Sequence, residues 1–126
     1  MYADMQASTT SLDAELVDLA AEVFSLLSDA TRIRIILSLE GGELPVGELA
    51  ERVGKSPTAV SQHLAKLRWA KVVQTRQVGT RVFYSLIDEH ALEVVRQAVF
   101  QAEHVVDFWP RHHRRGRTET GPDSAR

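Results

Sequence analysis

Histidine and carboxylate side chains near the end of the sequence are of the types that bind metal ions. The chain holds five histidines and no cysteine, so thiolate ligands and disulfide bonds are excluded. His90 and His104 stand fourteen residues apart, with Asp88 and Glu103 close to them in sequence. Imidazole and carboxylate donors without thiolate suit borderline divalent ions. Asp88 is equally suited to cap the start of a helix, and that role competes for the same oxygens.

The spacing of the two histidines decides how they could share one ion. On a helix of about 100° and 1.5 Å per residue, they face within about 40° of each other but lie roughly 21 Å apart along the axis. Metal–imidazole bonds measure about 2 Å, so one helix cannot bring both to a single ion. Two copies of the helix packed antiparallel about a two-fold axis can, with His90 of one protomer beside the partner subunit's His104. If the two share a metal, the spacing therefore predicts a homodimer with two identical sites.

A final helix over residues 89–106 is predicted to carry these side chains, with Asp88 at its start and Pro110 preventing its continuation. Apolar residues recur along it at alternating spacings of three and four, a stripe suited to pairing with another helix. The same stripe could instead bury against the protomer's own core. We expect it to form a dimer interface through Leu92, Val95, Val99, Ala102 and Val106.

Two further helices are predicted at the beginning of the chain. Thr10 and Asp13 resemble a capping box ahead of the first helix. Asp29 is suited to cap the second helix, which Gly41 and Gly42 are expected to stop.

The middle of the chain predicts a helix-turn-helix followed by a hairpin. A short helix after Pro45, a stop at Gly54 and a longer helix capped by Ser56 match the pattern whose second helix enters the DNA major groove. Two β-rich runs around Gly79 predict a wing. The fold class is therefore mainly α with a β-hairpin wing, a winged helix-turn-helix that forms a homodimer through its terminal helices. We expect a flexible N-terminal segment, a DNA-binding and dimerisation domain, and a flexible, basic, histidine-containing tail, over residues 1–12, 13–108 and 109–126.

Charge is segregated along the chain. The net charge is −2, yet no Asp or Glu occurs from Arg52 to Ile87, where seven basic residues stand. Such segregation is typical of a surface that contacts a polyanion, although clustered basic residues can also form a solvated face.

The fourth helix, "PTAVSQHLAKLRWA", is predicted to read the DNA. Its apolar residues Val60, Leu64 and Leu67 are spaced to face the core, so the polar residues between them face outward. Glutamine can pair with adenine, and lysine and arginine suit phosphates. His63 is either a further DNA contact or a packing residue. We expect double-stranded DNA to be contacted by Lys55, Ser56, Thr58, Ser61, Gln62, His63, Lys66 and Arg68, and by Arg76 and Arg81 of the wing.

Three motifs occur in order along the chain: "DATR" at the second helix, "SQHLAKL" in the fourth and "GTRVFYSL" in the hairpin. With them, residues 20–106 resemble the winged-helix core of the ArsR/SmtB metal-responsive repressors. The resemblance implies a homodimeric repressor that binds a palindromic operator and releases it when an inducer binds. Arsenic- and cadmium-sensing members carry Cys-x-Cys where Pro45 and Gly47 stand here, so their thiolate site is absent.

The resemblance also implies which residues hold the inducer. The zinc, nickel and cobalt branch carries Asp-x-His followed by two further histidines, and Gln101 stands in place of one of them. A Glu-His pair followed by a later His-His pair is closer to the KmtR-type nickel and cobalt sensors. The His-His pair also lies in the basic stretch "RHHRRGR", which could grip phosphate instead. The implied ligands for Ni(II) or Co(II), with Zn(II) as an alternative, are His90, Glu103, His104, His112 and His113, with Asp88 as a further candidate.

Two alternatives come from other function classes. A metal-independent winged-helix regulator needs none of the histidines. A zinc hydrolase needs three protein ligands, an open position and a cleft; the sequence supplies no cleft motif, so we expect no enzymatic activity and no organic substrate. No apolar run approaches the ~20 residues of a membrane span, and the N-terminus does not resemble a secretory signal. We therefore expect a cytoplasmic protein without a membrane partner.

Overall fold

The computed structural model describes the backbone of residues 2–108 and the side chains of residues 13–107. The chain divides into two compact units, the first ending at Leu92 and the second beginning at Glu93. A short 3-10 turn, Leu39–Gly41, follows the second helix. The helices and strands in the described range are α1 (Tyr2–Leu27), α2 (Ala30–Ser38), β1 (Leu44–Pro45), α3 (Val46–Val53), α4 (Pro57–Trp69), β2 (Val73–Val78), β3 (Arg81–Leu86) and α5 (His90–Phe108).

The first helix is longer than predicted. It begins at Tyr2, ahead of the start expected at Thr10 and Asp13, and runs for 26 residues without a proline or glycine. Nothing in that stretch breaks a helix, and Thr and Asp inside one cost only a few tenths of a kcal/mol, roughly up to 0.7 each. The helix thus extends into residues 1–12, whose flexibility stays a prediction.

The second helix begins as predicted, but it ends at Ser38, and a 3-10 turn continues from there to Gly41. Oδ1 of Asp29 accepts a hydrogen bond of 2.9 Å from the backbone N–H of Arg32, which satisfies a donor that the first turn leaves open. Gly42 has a φ of 130°, a backbone conformation that residues other than glycine rarely adopt. The glycine therefore terminates the α2 segment after its 3-10 turn.

The helix-turn-helix prediction is confirmed. Gly54, with a φ of 71°, ends α3 in the left-handed conformation and donates its N–H to the carbonyl of Ala50 at 2.9 Å. Oγ of Ser56 accepts from the N–H of Ala59 at 3.1 Å, and Pro57 occupies the first position of α4. These local signals fix both the turn and the start of α4, the helix predicted to read DNA and called the reading helix below.

The core of the first unit lies beneath α4. Val60, Leu64 and Leu67 are completely buried, as the spacing predicted. Residues with zero exposure on the neighbouring helices complete this core: Ile35, Ile36 and Leu49. Because one face of α4 is committed to the core, the opposite face is turned to solvent along its whole length.

The wing is a three-stranded antiparallel sheet in the order β1-β3-β2. The predicted hairpin pairs β2 with β3, from Val73 opposite Leu86 to Val78 opposite Arg81. The short strand β1 was not predicted, and it pairs with the other edge of β3, with Pro45 opposite Phe83. Proline is tolerated there because β1 is an edge strand. None of the helices in the described range is both long enough and apolar enough to cross a membrane.

Candidate nucleic-acid interface and metal-ligand helix

The solvent face of α4 carries the predicted DNA readers. Gln62, Ser61 and Lys66 are exposed, as is Thr58 in the first turn. Ser56 is exposed too, but its hydroxyl oxygen caps the helix. Lys55 and Arg68 are exposed at the two ends of the helix. The face therefore offers amide, hydroxyl and cationic groups without a carboxylate, which suits the edges of bases and the flanking phosphates.

His63 lies on the inner side of this helix. Its Nδ1 is 3.1 Å from Nη1 of Arg32 and 3.9 Å from Oδ1 of Asp29, and its side chain is 23% exposed. An arginine only donates, so Nδ1 of His63 is the acceptor in this contact. The contact with α2 supports the alternative role of His63 as a packing residue, and its role as a DNA contact stays a prediction.

Asp29 and Arg32 form the other half of this contact. Nε of Arg32 donates to the carbonyl oxygen of Leu26 at 2.6 Å. The backbone N–H of Arg32 lowers the pKa of Asp29 from its ordinary value, against desolvation, and the nearby charge of Arg32 lowers it further. The junction thus connects the end of α1, the start of α2 and the middle of α4.

The two arginines of the wing have different environments from those expected. Arg76 forms a bidentate ion pair with Glu43, in which its Nε lies 3.1 Å from Oε2 and its Nη2 bonds to Oε1. The side-chain hydrogen bond with Arg76 lowers the pKa of Glu43, and the same bond raises the pKa of Arg76. The guanidinium carbons of Arg76 and Arg81 lie 5.7 Å and 5.0 Å from the centroid of the Phe83 ring.

Glu43 therefore occupies the guanidinium of a residue that was predicted to bind phosphate. A phosphate that binds Arg76 must displace the carboxylate or share the guanidinium with it. Sequence reasoning missed Glu43 because it lies outside the acid-free stretch and reaches the wing only through the pairing of β1 with β3.

At the start of α5, Asp88 caps the helix, which is one of the two roles predicted for it. Oδ1 of Asp88 accepts from the backbone N–H of His90 at 2.9 Å. The second oxygen, Oδ2, lies 4.0 Å from Nε2 of His90, whose side chain is 89% exposed. The cap occupies only one carboxylate oxygen of Asp88. The other oxygen and the accessible imidazole of His90 therefore form a pair of neighbouring oxygen and nitrogen donors.

Further along α5, His104 stands against Phe100. Their ring centroids are 4.8 Å apart at an interplanar angle of 64°, an edge contact between residues one turn apart. Glu103 is exposed beside it. Among residues 13–107, no three side chains of the metal-binding types come together within one protomer. His112 and His113 lie outside the described residues.

The apolar stripe of α5 is divided in two. Leu92 and Val95 are 4% and 2% exposed in the described protomer, which leaves little of their surface for a partner, and their role at a dimer interface stays a prediction. Val99 and Val106 are exposed, and so is Ala102. The spacing of three and four identifies a buried face but not what buries it.

Apolar side chains beyond this stripe are also exposed. On α5 they include Phe100, at 54%. The face of α1 was not predicted as an interface, although it exposes Leu16, Val17, Leu19, Val23 and Phe24 by 45% or more each. Exposed apolar patches of this kind are typical of association surfaces.

Comparison with known proteins agrees with the winged helix-turn-helix. Residues 29–75 match the sequence model of the family "Bacterial regulatory protein, arsR family". Over 114 residues the chain is 51% identical to the HTH-type transcriptional regulator KmtR of Mycobacterium tuberculosis, covering 90% of this chain and 86% of that protein. Over 94 residues it is 33% identical to the HTH-type transcriptional regulator NmtR of the same organism, covering 75% and 78%.

Solved structures give the same result. The crystal structure of NolR from Sinorhizobium fredii matches with a TM-score of 0.63 and 34% sequence identity, covering 68% of this chain and 86% of that one. The relatives are transcription regulators and not enzymes. The winged helix-turn-helix fold and the sequence similarity point to the same family. The chain belongs to the ArsR/SmtB family of bacterial DNA-binding transcription regulators.

Proposed function

We propose that this protein is a homodimeric transcriptional repressor that binds palindromic operator DNA and releases it when Ni(II) or Co(II) binds to α5. The observation that carries the proposal is the 89% exposed imidazole of His90 beside a carboxylate oxygen of Asp88, on the helix that also presents Glu103 and His104. Metal binding at such a site would control the binding of DNA by α4 of the same chain.

The metal set consists of nitrogen and oxygen donors. His90 of one protomer would join the Glu103 and His104 of its partner, because the two histidines are too far apart along one helix to share an ion. His112 and His113 complete the set, and Asp88 is a further candidate through the oxygen that does not cap α5. Five or six such donors exceed what tetrahedral zinc takes, which favours nickel and cobalt.

The DNA contacts divide by chemistry. Ser61 and Gln62 are placed to read base edges, and Lys66 and Arg68 to bind phosphates. Thr58 and Lys55 stand at the entry of α4, and Arg81 extends the contact from the wing. A cytoplasmic location follows from this role, since the operator is in the cytoplasm.

Release follows from linkage between the two sites. If metal weakens operator binding, the DNA-bound dimer must bind metal more weakly by the same factor. A coupling free energy of about 1–3 kcal/mol corresponds to a loss of affinity of about 5–150-fold. Metal bridging two α5 helices would favour a dimer geometry in which the two α4 helices no longer match successive major grooves.

The test is fluorescence anisotropy with a duplex selected in vitro by the wild-type protein, titrated with Ni(II), Co(II) and Zn(II). We expect nickel or cobalt to weaken binding of the full chain, and the same titration of a chain cut after Trp109 to show a weaker response. If no metal weakens binding, the protein is a metal-independent regulator and the sensor proposal is wrong. If the cut chain responds like the full one, His112 and His113 are not ligands.

A further inference from the structure

The last residue of the reading helix is an exposed tryptophan. Trp69 ends α4 and is 89% exposed, the largest exposed fraction among the large hydrophobic residues of the described chain. Scattered apolar residues on a surface are ordinary, but an indole is the largest apolar side chain and usually finds a partner for both its ring and its N–H. The position of Trp69 on the helix indicates which partner this is.

Trp69 lies on the same side of α4 as the predicted base readers. The completely buried Val60, Leu64 and Leu67 define the core side of the helix. At about 100° per residue, Trp69 points nearly opposite to them and within about 20° of Gln62. Seven residues separate Gln62 from Trp69, which places the indole about 10.5 Å further along the axis. The major groove is about 12 Å wide, so in a helix that lies across the groove a residue at this distance from a base reader would reach the groove's wall.

The surroundings of Trp69 suit an anionic backbone. A groove beside its ring is lined by one further aromatic residue, two cations, one hydroxyl and one methyl group, with no carboxylate: Tyr84, Arg68, Lys71, Ser61 and Ala65. The acid-free stretch of the sequence runs through all of them. The groove on the other side of the ring differs, because it contains Glu22 and the apolar face of α1. Charge complementarity therefore favours DNA on the Tyr84 side.

We propose that Trp69 is a DNA contact, with its indole packed on the sugar–phosphate backbone at the edge of the groove that Gln62 reads and with Arg68 and Lys71 on the adjoining phosphates. This inference rests on the proposed operator binding. The indole N–H can donate to a phosphate oxygen, while the ring covers the apolar face of the deoxyribose.

The experiment uses the full-length protein in a Trp109→Phe background, so that Trp69 is the remaining tryptophan of the two in the chain. The probe is the duplex selected in vitro by the wild-type protein, with a scrambled duplex of equal length as a reference. We expect the Trp69 emission to change in parallel with the anisotropy of the labelled duplex. Trp69→Ala should lower the affinity about tenfold and Trp69→Phe less, in line with the magnitude of aromatic contacts to nucleic acids.

The salt dependence separates this contact from a charge contact. Trp69→Ala should leave the slope of log affinity against log salt unchanged, whereas Lys71→Ala should reduce its magnitude by about one. Sedimentation of each variant at the assay concentration reports the oligomeric state. If the wild-type protein binds no DNA, the proposed function and this inference both fail. If the wild type binds but Trp69→Ala binds equally well, or loses affinity only because its dimer dissociates, this inference alone is overturned.

Discussion

Nη1 of Arg32 at the start of α2 lies 3.1 Å from Nδ1 of His63 in the middle of α4. Thirty-one residues separate the two in sequence, so the contact joins the reading helix to a helix that has no part in the predicted DNA surface. Asp29 adds a carboxylate 3.9 Å from the same nitrogen. The inner side of α4 is therefore fixed by a polar junction as well as by its apolar core.

His63→Ala should affect stability rather than DNA affinity. The variant removes the acceptor of the Arg32 guanidinium, and the loss of a hydrogen bond to a charged group costs about 1.5–3 kcal/mol, at the lower end here because the site is partly solvated. Urea unfolding at a fixed protomer concentration measures this change. Anisotropy at a temperature well below unfolding should show an operator affinity within about twofold of wild type.

Gln62→Ala is the matched control for His63, since it is the adjacent residue on the exposed side. It should lose about 1–3 kcal/mol of operator binding with little change in stability. If His63→Ala instead lowers the affinity as strongly as Gln62→Ala and leaves unfolding unchanged, His63 is a DNA contact after all.

Glu43→Gln should strengthen DNA binding. The substitution removes the carboxylate that holds Arg76, and a freed guanidinium can bind a phosphate. The slope of log affinity against log salt should then steepen by about one, because one more counterion is released. Anisotropy titrations between low and moderate salt measure both the affinity and the slope.

A double-mutant cycle with Arg76→Ala provides the control for Glu43. When Arg76 is absent, Glu43→Gln should no longer increase the affinity. A gain of equal size in both backgrounds would mean that Glu43 acts as a general repulsive charge and not through its ion pair with Arg76.

Substitutions at Leu92 and Val99, two residues of the same stripe, should affect different properties. The first should lower the stability of the protomer, and the second should weaken the dimer. Leu92→Ala opens a cavity in the protomer, and large-to-small changes of this type cost about 2–5 kcal/mol of unfolding free energy. Val99→Glu places a charge on a surface that is 41% exposed in the protomer, so the single chain should tolerate it while the dimer does not. Sedimentation of both variants across a range of concentrations distinguishes the two effects. A stable Val99→Glu dimer of wild-type affinity would remove this residue from the interface.

Local signals in the sequence were sufficient for the reading helix. Its cap at Ser56, its preceding stop at Gly54 and its buried face were all predicted because each depends on residues within two turns of one another. The start of α1 was missed because a capping box permits a helix to begin without requiring it. Contacts between residues distant in sequence leave no local pattern from which they could be predicted.

The ion pair of Glu43 with Arg76 and the contact of Arg32 with His63 each join residues more than thirty positions apart. They arise from strand pairing and helix packing, which periodicity does not specify. Which residues of the α5 stripe are buried and which are exposed could not be predicted for a related reason. An apolar stripe states that a face is covered, and only the packed protomer shows how much of it is already covered without a partner.

The most direct test of the account uses mixed dimers of His90→Ala and His104→Ala. If each metal site takes His90 from one protomer and His104 from the other, both homodimers lack a complete site. A heterodimer of the two variants then holds one site with both histidines and one with neither. Isolated through two affinity tags, it should bind nickel or cobalt at one site per dimer, against two for wild type, and should recover part of the metal-induced loss of operator affinity. A heterodimer that binds no metal, or homodimers that respond like wild type, would contradict the shared site.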